Sequence, residues 1–143
     1  MRIKLLNDRA KLPTKGSEYA AGYDLYCAES CPTVITPGDN YLISTGIATE
    51  IPDGYFGAIF PRSGLSVKQG LRLANCVAVI DSDYRGEWKV PLYNDSDTAR
   101  IIEPGDRIAQ VVFIPYINFP FELVDELDTT ERNDGGFGHT GVK

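Results

Sequence analysis

The sequence predicts an all-β domain of the sandwich or barrel kind, and three observations lead there. Nine prolines and fourteen glycines break the 143-residue chain into short runs rich in Ile, Val, Tyr and Phe. Turn signals recur between those runs, as expected for a succession of short antiparallel strands. Between Trp88 and Leu92 the apolar residues alternate as Trp88, Val90 and Leu92, the period of two that marks a strand with one buried face. No long apolar stripe at helical spacing competes with this reading, and no internal repeat interrupts it.

Along the chain, Pro37-Gly38-Asp39-Asn40 is a turn before a strand that begins at Tyr41, and Pro52-Asp53-Gly54 is another before Tyr55–Phe60. One short helix is expected over Ser63–Gly70, with Ser63 as N-cap and Gly70 as terminator. Val77–Ile80 and Val111–Ile114 are continuous apolar runs, expected to be covered on both faces and, in so small a domain, partly by another subunit. Glu103-Pro104-Gly105-Asp106 turns into a strand from Arg107 to Ile114. From Tyr116 the chain becomes polar and extended. Phe119, Phe121, Leu123 and Val124 need an apolar surface there, which a neighbouring subunit supplies by strand addition. Residues 1–143 therefore read as one domain: a β core over 1–115, an arm over 116–131 and a glycine-rich flap over 132–143.

Bulk properties exclude several classes of function. A hydrophobic share of 43% fits a globular chain and not a disordered one. The net charge of −6 argues against a general duplex-binding protein, which needs a basic footprint. No apolar run reaches membrane-span length, and the N-terminus lacks the long apolar segment of a signal peptide. Cys27, Cys31 and Cys76 cannot all pair within one chain and read as reduced thiols of a cytoplasmic protein, or of the host-cell cytoplasm for a viral one. With one histidine in the chain, a four-ligand zinc site is not expected.

Five stretches carry chemistry. In Ala20-Ala-Gly-Tyr-Asp-Leu25 a carboxylate, Asp24, sits among apolar neighbours and is expected to be hydrogen-bonded locally or to face the water ligands of a metal ion. In Phe60-Pro-Arg-Ser-Gly-Leu-Ser66, Arg62 can fork onto a phosphate while Ser63 and Gly64 offer a hydroxyl and N–H groups where a helix begins. The run from Asn75 to Glu87 delivers Asp81 and Asp83 at a strand end, on one face if the chain is extended, followed by the flat ring of Tyr84. This is either a general base beside a ring that packs a sugar, or a solvated hairpin tip. Gly105-Asp-Arg-Ile-Ala-Gln110 places one amide, Gln110, among apolar residues, as a structural bond or a ligand contact. The last stretch, from Arg132 to Gly141, combines a cation, the Phe137 ring and several glycines, suited to a flap that closes over a phosphate chain.

In this order and over nearly the whole chain, the five stretches resemble the motifs of the trimeric dUTPase family, the dUTP nucleotidohydrolases. The resemblance implies a jelly-roll-like β-barrel, a homotrimer with the C-terminal arm exchanged between subunits, and active sites drawing on all three chains. It implies hydrolysis of dUTP to dUMP and pyrophosphate, which keeps uracil out of DNA and supplies dUMP for thymidylate synthesis. Asp81 then activates the water that attacks the α-phosphorus. Asn75 and its strand read uracil, Tyr84 packs under the deoxyribose, and Phe137 stacks on the base. Arg62, Ser63, Gly64 and Gln110 contact the phosphates, and Arg132, Gly138, His139 and Thr140 grip the γ-phosphate. Mg²⁺ rides on the triphosphate with no direct protein ligand, Asp24 facing its waters. Two alternatives remain open. One is a dCTP deaminase relative, distinguished by turnover of dCTP with release of ammonia. The other is a nucleotide-gated regulator that docks a protein partner.

Overall fold

Twelve strands and one short helix are formed among residues 1–136, the part of the chain that the computed structural model describes. In chain order they are β1 (Arg2–Leu5), β2 (Thr14–Lys15), β3 (Tyr23–Tyr26), β4 (Thr33–Ile35), β5 (Asn40–Ser44), β6 (Ile47–Glu50), β7 (Tyr55–Phe60), α1 (Ser63–Gln69), β8 (Leu71–Leu73), β9 (Ala78–Ile80), β10 (Lys89–Asn94), β11 (Arg100–Ile102) and β12 (Arg107–Pro115). Every pairing is antiparallel. The largest sheet has the order β2-β3-β12-β7-β9, a second has β5-β10-β8, and β1–β6 and β4–β11 pair as two-stranded ribbons. No helix among the described residues is long and apolar enough to cross a membrane.

The predicted turns fall where the sequence puts them, with Gly38, Gly54 and Gly105 all at positive φ. The alternation in β10 also holds: Trp88, Val90 and Leu92 are buried, together with Ile43, Leu71, Leu73, Leu25, Ile59, Ile108 and Val111, in one core. At about 1.5–3 kcal/mol for each large apolar side chain removed from water, this cluster is the main source of cohesion. The helix ends at Gly70 as expected, at φ 68°, but its N-cap is Arg62 and not Ser63. Ser63 is already helical, so its hydroxyl is not spent on a cap, and Arg62 keeps an extended backbone at the junction with β7.

The two continuous apolar runs are not covered on both faces within one chain. In β9 Ala78 and Ile80 are buried, whereas Val77 and Val79 are 38% and 59% exposed. In β12 Val111 is buried but Val112, Phe113 and Ile114 are only half-buried. The arm leaves the core at Tyr116, whose N–H donates to the Gly54 carbonyl (3.0 Å) and whose ring meets Phe56 edge-on at 6.2 Å. Beyond it Phe121 and Leu123 are fully exposed.

All three thiols are free, Cys27 buried and Cys31 and Cys76 exposed. Desolvation pushes the Cys27 thiol up, with repulsion from Glu29 and Asp106 adding to it and backbone N–H groups opposing it. The folded state thus holds this proton more tightly than the unfolded chain. The resulting stability is complete below the ordinary thiol value of 9.0 and is lost as pH rises through the raised one. Alkylation at mildly alkaline pH, followed by mass spectrometry, is expected to label Cys31 and Cys76 in the native protein and Cys27 only in denaturant. Rapid native labelling of Cys27 would contradict its burial.

Candidate active site

Two clefts gather seven of the residues singled out in the sequence. The first is built where β3, β12 and the β7–α1 junction meet. Asp24 on β3 lies opposite Gln110 on β12, and Gln110 lies opposite Phe60 at the end of β7. Pro61 and the extended Arg62 then carry the chain into α1, which brings Arg62, Ser63 and Gly64 over the same strand ends. The N–H groups at this helix start have no carbonyl of their own helix to bond. The Asp24 carboxylate is buried, and each oxygen accepts from a guanidinium: Oδ1 from Arg62 Nε at 2.8 Å, Oδ2 from Arg107 Nη1 at 3.1 Å. Arg62 Nη1 also donates to the Arg107 carbonyl (3.1 Å), and Gln110 Nε2 donates to the Pro61 carbonyl (3.0 Å), which ties the junction to β12. A β-carbon at Gly22 would stand 2.6 Å from Gln110 Oε1, so only glycine leaves this amide its place.

This cleft, about 200 Å³, is lined by Asp24, Arg62, Ser63, Gly64, Arg107 and Gln110 together with the Gly16–Gly22 loop. Two guanidiniums against one carboxylate leave it locally cationic in a chain of net charge −6. Arg107 is the functional candidate that the sequence does not single out. Its position depends on a bulge: pairing with β3 shifts register between Arg107 and Ala109. Ile108 and Ala109, consecutive in sequence, are both fully buried, and Arg107 and Gln110 consequently reach one cleft despite their odd spacing. The one sequence signal for Arg107 is its place inside the Gly105–Gln110 motif.

The second cleft, about 570 Å³, is lined by Leu42, Val79, Ile80, Asp81, Tyr84, Glu87 and Lys89. Asp81 to Tyr84 form a turn, with the Tyr84 N–H donating to the Asp81 carbonyl at 3.2 Å. This overturns the expectation that Asp81 and Asp83 share a face: the extended alternation stops at Ile80, and Asp83 does not line the cleft. The hairpin-tip and site readings of this segment are thus compatible, since one turn presents both Asp81 and the Tyr84 ring. Arg85 Nη1 closes the tip by donating to the Ser82 carbonyl at 2.7 Å. Asn75 is exposed on the turn between β8 and β9 and lines neither cleft. Its carbonyl accepts from the Val77 N–H at 2.7 Å around Cys76, which stands at φ 62°. Arg132 is also exposed, its Nε donating to the Gly135 carbonyl at 3.0 Å, and it reaches neither cleft. Phe137, Gly138, His139 and Thr140 lie outside the described residues.

The clefts share no lining residue, and β7 explains why. Ile80 pairs with Gly57, so Asp81 follows at the level of Phe56, whereas Arg62 lies beyond the opposite end of β7. Six residues of extended chain amount to roughly 20 Å. Among the described residues no group of three His, Cys, Asp or Glu side chains is placed to hold a metal ion, and Asp24, the carboxylate of the first cleft, has both oxygens engaged by arginines.

Comparison with known proteins gives a consistent picture. A family model described as dUTPase matches residues 8–141. The deoxyuridine 5′-triphosphate nucleotidohydrolase of Syntrophotalea carbinolica is 46% identical over 141 residues, covering 99% of this chain and 96% of its own. The dUTPase of Staphylococcus bacteriophage 80alpha, solved with dUpNHpp, superposes with a TM-score of 0.88 at 31% identity, covering 99% of this chain and 98% of that one. A variant dUTPase from phage phi11 of S. aureus, which coordinates a structural Mg(II) ion, superposes with a TM-score of 0.81 at 26% identity, over 90% of this chain and 98% of that one.

Asp24→Asn removes the charge that holds two guanidiniums side by side. A loss of about 1–3 kcal/mol is expected, at the lower end because Arg107 is half exposed. Urea denaturation at low and high salt reads it, the difference from wild type shrinking as salt screens the guanidinium repulsion. An unchanged midpoint would mean that the carboxylate does not organise the cleft.

Proposed function

The chain belongs to the dUTPase family and is a dUTP nucleotidohydrolase, and from that premise we propose that its two clefts, contributed by different copies of the chain, enclose one dUTP and cleave it to dUMP and pyrophosphate. The observation that carries this is the separation along β7. A carboxylate and a phosphate grip roughly 20 Å apart cannot act on one phosphorus atom, so the Asp81 cleft of one copy must meet the Asp24 cleft of another. A homotrimer provides three such junctions. The exposed faces of Val77 and Val79 and the bare apolar arm are surfaces that assembly would cover. The arm also carries Glu122, Asp125, Glu126 and Asp128, while the open edge of β1 carries Arg2 and Lys4 and adjoins an apolar groove lined by Ile3, Leu12, Trp88 and Phe113.

In this arrangement Asp81 orients a water and takes its proton as the oxygen attacks the α-phosphorus in line. The bond to the bridging oxygen breaks and pyrophosphate leaves. Arg62 and Arg107, with the N–H groups at Ser63 and Gly64, offset the charge on the phosphates where it builds up during reaction. Gln110, held by Pro61, lies beside the α-phosphate. Tyr84 packs the deoxyribose, and backbone groups of the Asn75 hairpin read the uracil edge. Cytosine reverses the donor and acceptor pattern and would leave those groups unpaired. The flap brings Arg132, Gly138, His139 and Thr140 to the γ-phosphate and Phe137 to the base, excluding bulk water. Mg²⁺, carried on the oxygens of the triphosphate itself, supplies further charge neutralisation when bound.

Asp81→Asn is expected to lower pyrophosphate release by about 10²–10⁴-fold, the usual worth of a general base, with dUTP binding retained. Unchanged release would remove Asp81 from the mechanism. Asp81→Asn and Arg62→Ala chains, each inactive alone, are expected to regain roughly a quarter of wild-type turnover when refolded together at equal ratio, because one site in four then draws both intact residues from different copies. Absence of recovery in mixed trimers would place both groups in the same chain's site.

A further inference from the structure

The geometry points to Gly86 as a positioning residue that sets the Tyr84 ring and thereby the discrimination between deoxyribose and ribose. The inference rests on the reading of Tyr84 as the ring that packs the sugar. A β-carbon on Gly86 would fall on Tyr84 Oη and stand 2.5 Å from Cζ and 2.9 Å from Cε2. The ring therefore lies directly over the Gly86 α-carbon, in space that any other residue would fill. Gly86 is not in the left-handed region of φ, so alanine is permitted by the backbone and the objection comes from the ring alone.

The opposite constraint comes from Glu87. Tyr84 Oη donates to the Glu87 carbonyl at 3.1 Å. Glu87 is itself anchored, its Oε1 accepting from the Gly46 N–H at 2.9 Å and its other carboxylate oxygen lying 3.9 Å from Lys89 Nζ. The ring is thus seated on Gly86 and tied at its tip to a carbonyl that a second turn holds in place. Tyr84 lines the same cleft as Asp81, so its pose is set relative to the reacting end of the site. Rejecting one extra hydroxyl by packing requires a wall that does not move, since a pocket that yields accommodates a small addition at little cost. Gly86 and the anchored Glu87 carbonyl supply that rigidity to a ring on an otherwise exposed turn.

The test is a double-mutant cycle on the full-length protein, measuring kcat and KM for dUTP and UTP and the thermal midpoint. Gly86→Ala is expected to lower the ratio of kcat/KM for dUTP over UTP by about tenfold or more, with the midpoint close to wild type. Tyr84→Ala should lower the ratio too, and adding Gly86→Ala to it should change the ratio no further. Tyr84→Phe in the Gly86→Ala background, which removes the atom nearest the new methyl, should restore part of the ratio. If Gly86→Ala alone does not fold, normal folding of the Tyr84→Ala/Gly86→Ala variant supports the same contact, and failure of both overturns it. An unchanged ratio in Gly86→Ala, with Tyr84→Ala impaired, overturns the role of Gly86. So does an undiminished effect of Gly86→Ala when Tyr84 is already gone. An unchanged ratio in Tyr84→Ala removes the sugar-packing role of Tyr84 and this inference with it, while leaving the hydrolysis assigned to Asp81 untouched.

Discussion

Strand β12 is hydrogen-bonded on both edges, to β3 and to β7, and the single-residue irregularity in its pairing with β3 decides which side chains the Asp24 cleft contains. In a regular strand Arg107 and Gln110 would face opposite sides. The bulge puts Ile108 and Ala109 together in the core and brings both polar side chains to the cleft that Asp24 lines. Because β12 is fixed from two sides, the bulge cannot slip without disturbing the whole five-stranded sheet. The cleft inherits its precision from the largest sheet of the protein.

Asp24 gives that cleft its electrostatic logic. The chain is acidic overall, yet this cleft is locally cationic. One buried carboxylate shared by two arginines holds two cations at a spacing that they would not adopt alone, and still leaves a positive balance. The guanidiniums are partly exposed, so they remain available to a ligand while their orientation is set. Gly22 and Gln110 belong to the same arrangement: the missing β-carbon admits the amide, and the amide pins the chain just before Arg62.

The Asp81 cleft is organised differently. It rests on a short turn stabilised by local hydrogen bonds and by the Glu87 anchor to Gly46, at the far end of β7. Its lining includes Val79, an apolar side chain that the described residues leave 59% exposed. Exposed apolar residues at the rim of one cleft, and a bare apolar arm beyond β12, fit a site completed between copies.

The β class, the three glycine turns, the α1 terminator and the alternation from Trp88 to Leu92 were all readable from the sequence, because periodicity and turn chemistry are local properties that neighbouring residues dictate. The order of the five motifs likewise pointed to the family, and seven of their residues line the two clefts, Asp24, Arg62, Ser63, Gly64 and Gln110 in one and Asp81 and Tyr84 in the other, whereas Asn75 and Arg132 line neither. The structure decided that Arg107 joins Asp24, that Asp83 does not line the Asp81 cleft, that Arg62 and not Ser63 stands at the N-cap position of α1, and that the two clefts stand at opposite ends of one strand. The first and the last follow from a bulge and a register set by partners dozens of residues away, and the other two from how the chain closes its turn at Asp81–Tyr84 and enters α1. No local pattern encodes such pairings, so they become visible only when the strands are placed side by side.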